Sequence, residues 1–128
     1  MTTVVCFRAG GTEYAVPVEN VREVRSRVGL LPLPTPRPGV VGFLSDQGRA
    51  LTVIAPLGAG QDHVLLLDHE DRAFGLLVDE VTGVLTTSAE IGAPPAGQAG
   101  HLISGVLKTP ESLVLLVDVG ALDESLRS

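Results

Sequence analysis

Three aspartates, Asp68, Asp79 and Asp118, each close a run of aliphatic residues, LLLD, LLVD and LLVD. Carboxylates where a strand meets solvent are the raw material of general acid–base chemistry. Asp79 with Asp118 is the pair that such chemistry would use. A short carboxylate in that position also serves to cap turns and helix starts, and that second use needs no partner acid. The Asp-Thr/Ser-Gly turn of aspartic proteases is absent. His63, His69 and His101 are metal-ligand types, but their spacings of 6 and 32 match no compact ligand motif. Cys6 lies inside the run VVCF and reads as a small core residue before a nucleophile. Ser104 in LISGV has no base near it in the sequence, and GxSxG, GxGxxG and Walker patterns are missing. The expectation is no catalytic residue, no metal and no cofactor, which leaves surface for binding.

The elements that would hold these residues are short strands. Val4–Ala9 is apolar and β-rich, Gly10-Gly11 turns it back, and Glu13–Val18 alternates polar and apolar, which together predict a hairpin. Val21 and Val24, three apart, allow a helical turn or a bent strand over 19–25. The four prolines between Leu30 and Gly39 predict extended loop. Val40–Leu44 and Arg49–Ile54 flank the turn SDQG, and GAGQD at 58–62 is the one linker-like stretch. Further strands are expected at 64–67, 73–78, 102–107 and 112–117, with a loop over 88–100. A short closing helix over 119–126 would take Asp118 as its N-cap. Nine or ten strands at this spacing point to small barrels or a sandwich, without βαβ units.

The chain also repeats itself. VENVREV at 18–24 returns sixty residues later as VDEVTGV at 78–84, and the apolar pattern of 4–24 falls on 64–84 without a gap. At a shift of 63, GFL (42–44) falls on GVL (105–107) and ALTVI (50–54) on LVLLV (113–117). Two echoes in the same order are the mark of a duplicated supersecondary unit. They divide the chain into repeats at 4–57 and 64–122.

Composition narrows the function. Aromatics are 3% and Trp is absent, so the core is built from Val, Leu, Ile and Ala. With 15 acids against nine Lys and Arg, phosphate-backbone binding is disfavoured and no nucleic-acid partner is expected. The imbalance is local: residues 1–64 carry six Arg and five acids, residues 65–128 three bases and ten acids. Arg22, Arg25 and Arg27 gather in the first half and read as a solvated face, with a face for an acidic partner as the sharper alternative. The absence of a long apolar run, of a signal-peptide pattern and of a second cysteine points to a cytoplasmic protein without direct membrane insertion.

Read in order, the motifs resemble those of CheW-like domains. FRAGGTEYAVPVENVREV is similar to that family's opening hairpin and its V-x-E-V segment. PLPTPRPGVVGFL resembles its proline loop and following strand, FGLLVDEVTGV its G-x-x-V-D-x-V-x-x-V segment, and SGVLKTPESLVLLVDVGAL its closing hairpin. The resemblance runs from about residue 4 to 122 and implies an all-β fold of two pseudo-repeated five-stranded SH3-like barrels around a shared hydrophobic core, with short helical turns, in a single domain spanning 1–128. One barrel is expected over about 14–85, the other over 4–13 plus 86–128 if strands swap between barrels. It further implies a non-enzymatic adaptor that couples chemoreceptors to a CheA-type histidine kinase, with the kinase regulatory domain and the tip of a methyl-accepting chemoreceptor as partners. Carried over by position, Val21, Glu23 and Val24 fall near the receptor groove, and Val41, Gly42, Gln47 and Gly48 fall on the strand and turn that touch partners. The sequence departs from the family at that turn. SDQG replaces the usual N-L-R-G, so Gln47 stands where an arginine is expected, Asp46 adds an opposite charge beside it, and Thr52 replaces a proline. Two other readings remain open: a homo-oligomerising scaffold module independent of a kinase, and a small acidic β enzyme working through Asp79 and Asp118.

Overall fold

The computed structural model describes residues 1–57, 61–94 and 100–127. Among these residues eleven strands run β1 (Thr2–Ala9), β2 (Thr12–Pro17), β3 (Val21–Ser26), β4 (Leu31–Arg37), β5 (Val40–Asp46), β6 (Arg49–Ile54), β7 (His63–His69), β8 (Arg72–Val78), β9 (Glu80–Thr87), β10 (Ile103–Lys108) and β11 (Leu113–Val117). A 3-10 turn, Val18–Asn20, separates β2 from β3, and one helix, α1 (Val119–Arg127), closes the chain. The 19–25 segment is therefore a tight turn followed by a strand. The closing helix forms as expected: the Ala121 amide donates to Asp118 Oδ1 at 3.1 Å, satisfying one of its orphan donors.

The strands form two sheets, ordered β10-β11-β2-β1-β9 and β3-β7-β8-β6-β5-β4. A shift of sixty carries β1, β2 and β3 onto β7, β8 and β9, and a shift of 63 carries β5 and β6 onto β10 and β11. Under those shifts the two orders are the same apart from β4, which matches no strand among the described residues, down to the parallel pairing of β11 with β2 and of β6 with β8. Each sheet thus takes its first hairpin from one half of the sequence and its remaining strands from the other. The chain changes sheet at two places, Val18–Asn20 and Asp79, and these lie in the two echoing segments. Residues 14–17 and 80–85, grouped by sequence with the barrel over 14–85, pair in the first sheet instead.

Packing follows this exchange. One cluster lies between the sheets and draws on both, with Phe7, Val16, Leu65, Leu67, Phe74, Leu76, Val117 and Leu122 among its buried members. A second fills the interior of the β3–β8 barrel (Leu44, Leu51, Val53, Val64, Leu66, Leu77), and a third fills the other barrel (Val4, Ala15, Leu107, Val114, Leu116). Successive residues of β7 therefore bury into different cores, Val64 and Leu66 into one and Leu65 and Leu67 into the shared one. That is why VLLL runs unbroken where a one-faced strand would alternate. Phe7 and Tyr14 stack across β1 and β2 with centroids 5.6 Å apart.

The proline-rich segment corrects the sequence expectation of a loop. Leu31–Arg37 is an edge strand, pairing Leu31 with Phe43, Pro32 with Gly42 and Arg37 with Val40. Prolines lack the ladder donor and so survive only at a sheet edge, where one side needs no partner. The following turn has Pro38 before Gly39 at φ +77°, the positive φ that a type II turn demands. A counterpart lies in the second half. Gly92 bridges Val106 of β10, sixty residues after Pro32 meets β5. Both covered strands carry a glycine at the crossing. A Cβ on Gly42 would land on the backbone carbonyl of Leu31, and one on Gly105 on the Ile91 side chain and 2.9 Å from the Gly92 carbonyl oxygen. Gly58–Gly60 of the linker-like stretch and residues 95–99 of the second loop lie outside the described residues.

Candidate partner-binding site

Most of the residues that invited a chemical reading have a structural partner, while His101 stands exposed in the 3-10 turn before β10. Asp79 Oδ2 accepts the Gly10 amide at 3.0 Å, fastening the β1–β2 turn to the crossover. Asp118 caps α1, and its own amide donates to the Leu102 carbonyl at 2.8 Å. Asp68 is half exposed, 4.0 Å from Arg22. His63 Nδ1 donates to the Asp79 carbonyl at 3.0 Å, and the Ser104 hydroxyl to the Leu116 carbonyl at 3.3 Å. Burial, with Glu13 nearby, pushes the Cys6 thiol above its ordinary value, which suits a packing role. Among the described residues no three metal-type ligands converge.

Asp123 was not singled out by sequence, being one more acid in a short helix. It is only 2% exposed. Arg72 grips it with Nη2 at 2.6 Å from Oδ2 and Nε at 3.1 Å from Oδ1, and His69 Nδ1 lies 3.0 Å from Oδ2. The hydrogen bond to this carboxylate, with Glu70 and Asp71 nearby, raises the Arg72 pKa above its already high value. The cluster ties α1 to the β7–β8 hairpin. It holds a helix in place and assembles no nucleophile.

The carried-over residues divide into two groups. Val21, Glu23 and Val24 lie on β3 opposite Leu67, Leu66 and Leu65, with a bulge between Val21 and Glu23. Val21 packs partly on the shared core, whereas Glu23 and Val24 face out, Val24 at 43% exposure. Gln47 and Gly48 form the two-residue β5–β6 turn, both at positive φ (+51° and +80°), as the type I′ hairpin geometry requires. Asp46, 12% exposed, brings these two segments together: its Oδ2 is 3.2 Å from Arg22 Nη1 and its Oδ1 is 3.4 Å from Arg25 Nη1. Arg25 also reaches Glu23 at 3.6 Å and the Ser45 carbonyl at 3.2 Å. Arg22 and Arg25 are thus more than a solvated face, since they close the barrel between β3 and the β5–β6 turn. Sequence gave no sign of this, because the pairs are 21 and 24 residues apart. Val41 is half buried against the β3–β8 core, and Gly42 is buried under β4, so these two support the exposed group from beneath.

A duplicated pair of small barrels with exchanged hairpins, a shared core and an exposed valine-and-acid strand beside a tight turn defines a protein-docking domain. Residues 3–126 match the CheW-like domain. The chain belongs to the CheW-like domain family, whose members are non-enzymatic scaffolding adaptors of chemotaxis. Among curated relatives it is 27% identical to the probable chemotaxis protein CheW of Rhizobium etli, covering 92% of this chain and 84% of that protein. It is 30% identical to the chemotaxis protein CheW of Rhizobium meliloti, over 90% and 83%. Among solved structures, the scaffolding protein TtCheW from Thermoanaerobacter tengcongensis superposes with a TM-score of 0.82 over 92% of this chain and 84% of that one, at 19% identity. No helix among the described residues is long and apolar enough to cross a membrane.

Proposed function

We propose that this protein is a cytoplasmic adaptor that joins the regulatory domain of a CheA-type histidine kinase to the tip of a methyl-accepting chemoreceptor. The observation that carries this reading is the family match across residues 3–126. It is supported by a fold complete in both barrels and by site residues that cluster on one end of the β3–β8 barrel. Val21 and Val24 offer the apolar surface on β3, Glu23 the charge beside it, and Gln47 with Gly48 the turn held next to them by Asp46. Val41 and Gly42 act from beneath, setting the backbone that carries the turn. Glutamine at position 47 makes neutral hydrogen bonds where an arginine would bring charge, so the contact at this turn is the weaker for it.

Calorimetry against the regulatory domain of the same cell's CheA-type kinase tests the reading, with Gln47→Arg alongside. Micromolar or tighter binding, about −8 kcal/mol or beyond, is expected, and the arginine variant binds more tightly. Absence of binding by both proteins, to the kinase domain and to a receptor tip fragment, overturns the adaptor assignment.

A further inference from the structure

The repeat supplies an internal control for the site. A shift of sixty carries Arg22, Glu23, Val24 and Arg25 of β3 onto Thr82, Gly83, Val84 and Leu85 of β9. A shift of 63 carries Asp46, Gln47, Gly48 and Arg49 onto Thr109, Pro110, Glu111 and Ser112 of the β10–β11 turn. In the β3–β8 barrel the space between strand and turn is filled by Arg22 and Arg25 reaching Asp46. In the other barrel none of the three charged side chains has a counterpart. The same place is an open groove of about 330 Å³, walled by Thr82–Leu85 on one side and Thr109–Ser112 on the other. Cys6 and Val114 line it as well. β9 is the last strand of its sheet, so its outer edge has no strand partner among the described residues. Val84 at the rim is 67% exposed.

The charge of the groove says what fills it. Its titratable carboxylates are Glu13 and Glu111, and no arginine or lysine lines it. Glu13 is partly occupied, by Arg8 at 3.4 Å and the Ser112 hydroxyl at 3.0 Å, whereas Glu111 is exposed at the turn. The half of the sequence that supplies both walls carries ten acids against three bases. An acidic groove with an apolar floor, beside a free strand edge, accepts a cationic side chain on an extended segment.

We propose that the groove between β9 and the β10–β11 turn binds an extended partner segment carrying arginine or lysine. The partner's cation takes the place that Arg22 and Arg25 occupy in the other barrel. The inference deepens the adaptor reading by naming the chemistry of one partner surface, and rests on it. One barrel end is closed by the chain's own arginines, and the other is left for those of a partner.

The probe is the peptide acetyl-Val-Arg-Val-Arg-amide, titrated into the full-length protein and followed by amide chemical shifts. Shifts concentrated at Gly83, Val84 and Ser112 are expected. They should weaken at least tenfold in Glu111→Lys and vanish in T82R/T109D, which installs the internal ion pair of the other barrel. Both variants should keep the wild-type far-UV spectrum, and Glu111→Lys, at an exposed turn, keeps the test open if the double variant fails to fold. Equal binding of acetyl-Val-Glu-Val-Glu-amide, or shifts unchanged in a folded variant, overturns the proposal, as does the absence of shifts at those amides at ten millimolar peptide. Calorimetry with the kinase domain and the receptor tip fragment separates the two claims. If neither binds while the peptide shifts appear, the adaptor reading fails and the groove stands. If either binds while the peptide shifts are absent, the reverse holds.

Discussion

VENVREV and VDEVTGV occupy equivalent places in the two halves and behave alike in two respects. Val21 and Val81 both pack partly on the shared core, and Val24 and Val84 both stand exposed at 43% and 67%. They differ at their starts. Val78 is fully buried at the end of β8, with Asp79 accepting the Gly10 amide, whereas Val18 is exposed in a 3-10 turn and Glu19 makes no equivalent bond. They differ again beyond, where β3 is clamped to its neighbouring turn and β9 is not. The repeat thus fixes where the chain changes sheet and which valines face out, while charge differences decide which barrel end is closed. Duplication gives the protein two similar ends, and a handful of substitutions makes them unlike.

The largest test of this comparison is to cut the chain at the linker. Fragments 1–57 and 61–128 each lack strands of both sheets. Neither should give the dispersed amide spectrum of the intact protein alone, and an equimolar mixture should restore it. Dispersed native-like spectra from a single fragment would show that the hairpin exchange is dispensable. Next come the two covered glycines. Gly42→Ala forces a methyl into the Leu31 backbone and should cost about 2–3 kcal/mol by chemical denaturation. Gly105→Ala meets a side chain that can turn aside as well as a carbonyl, and should cost about 1–2 kcal/mol. Equal costs would mean that β4 yields as easily as Ile91.

Asp46→Ala should lower stability by about 1 kcal/mol, because its partners are about a third exposed and solvent already screens them. It should weaken kinase binding more than that stability loss accounts for, since Gln47 and Gly48 lose their anchor to β3. Smaller still is a gain at a turn. Gly10 and Gly11 take the positive φ of the β1–β2 hairpin, whereas Glu70 (+48°) and Asp71 (+66°) take it in the equivalent β7–β8 hairpin at some steric cost. Replacing that pair with Asn-Gly should stabilise the protein by about 0.5–1 kcal/mol. The smallest effect is at Cys6. Its pKa is raised, so at pH 8.5 less thiolate is present than in a free cysteine, and Ellman's reagent should react more slowly with it than with an unfolded control.

Strand positions, the closing helix and its Asp118 cap, and the repeat itself were readable because each rests on local pattern or fixed offset. The resemblance set the boundaries of the exchange at about residues 14 and 85, whereas the chain changes sheet at Val18–Asn20 and Asp79, because β1 and β7 carry similar apolar patterns and only the pairing separates them. The proline-rich stretch became a strand because an edge asks less of its amides than the composition implied. For the candidate site, the resemblance pointed to the β3 residues and the β5–β6 turn, and the structure shows those two segments as neighbours. Sequence reasoning missed that Asp46 joins them, that Gly42 lies underneath, and that Asp123 is buried, because each depends on contacts between residues far apart in the chain.

The exchange also sets an order of events during synthesis. As the chain leaves the ribosome, β1 and β2 appear before every other strand of their sheet, which is incomplete until β11 emerges at residue 117. The β3–β8 sheet has all its strands by residue 78. The barrel bearing the clamped turn can therefore close first, and the β1–β2 hairpin, with Phe7 and Tyr14 packing on Leu65, Leu67 and Phe74 of the shared core, waits only for β9–β11 to complete its own sheet.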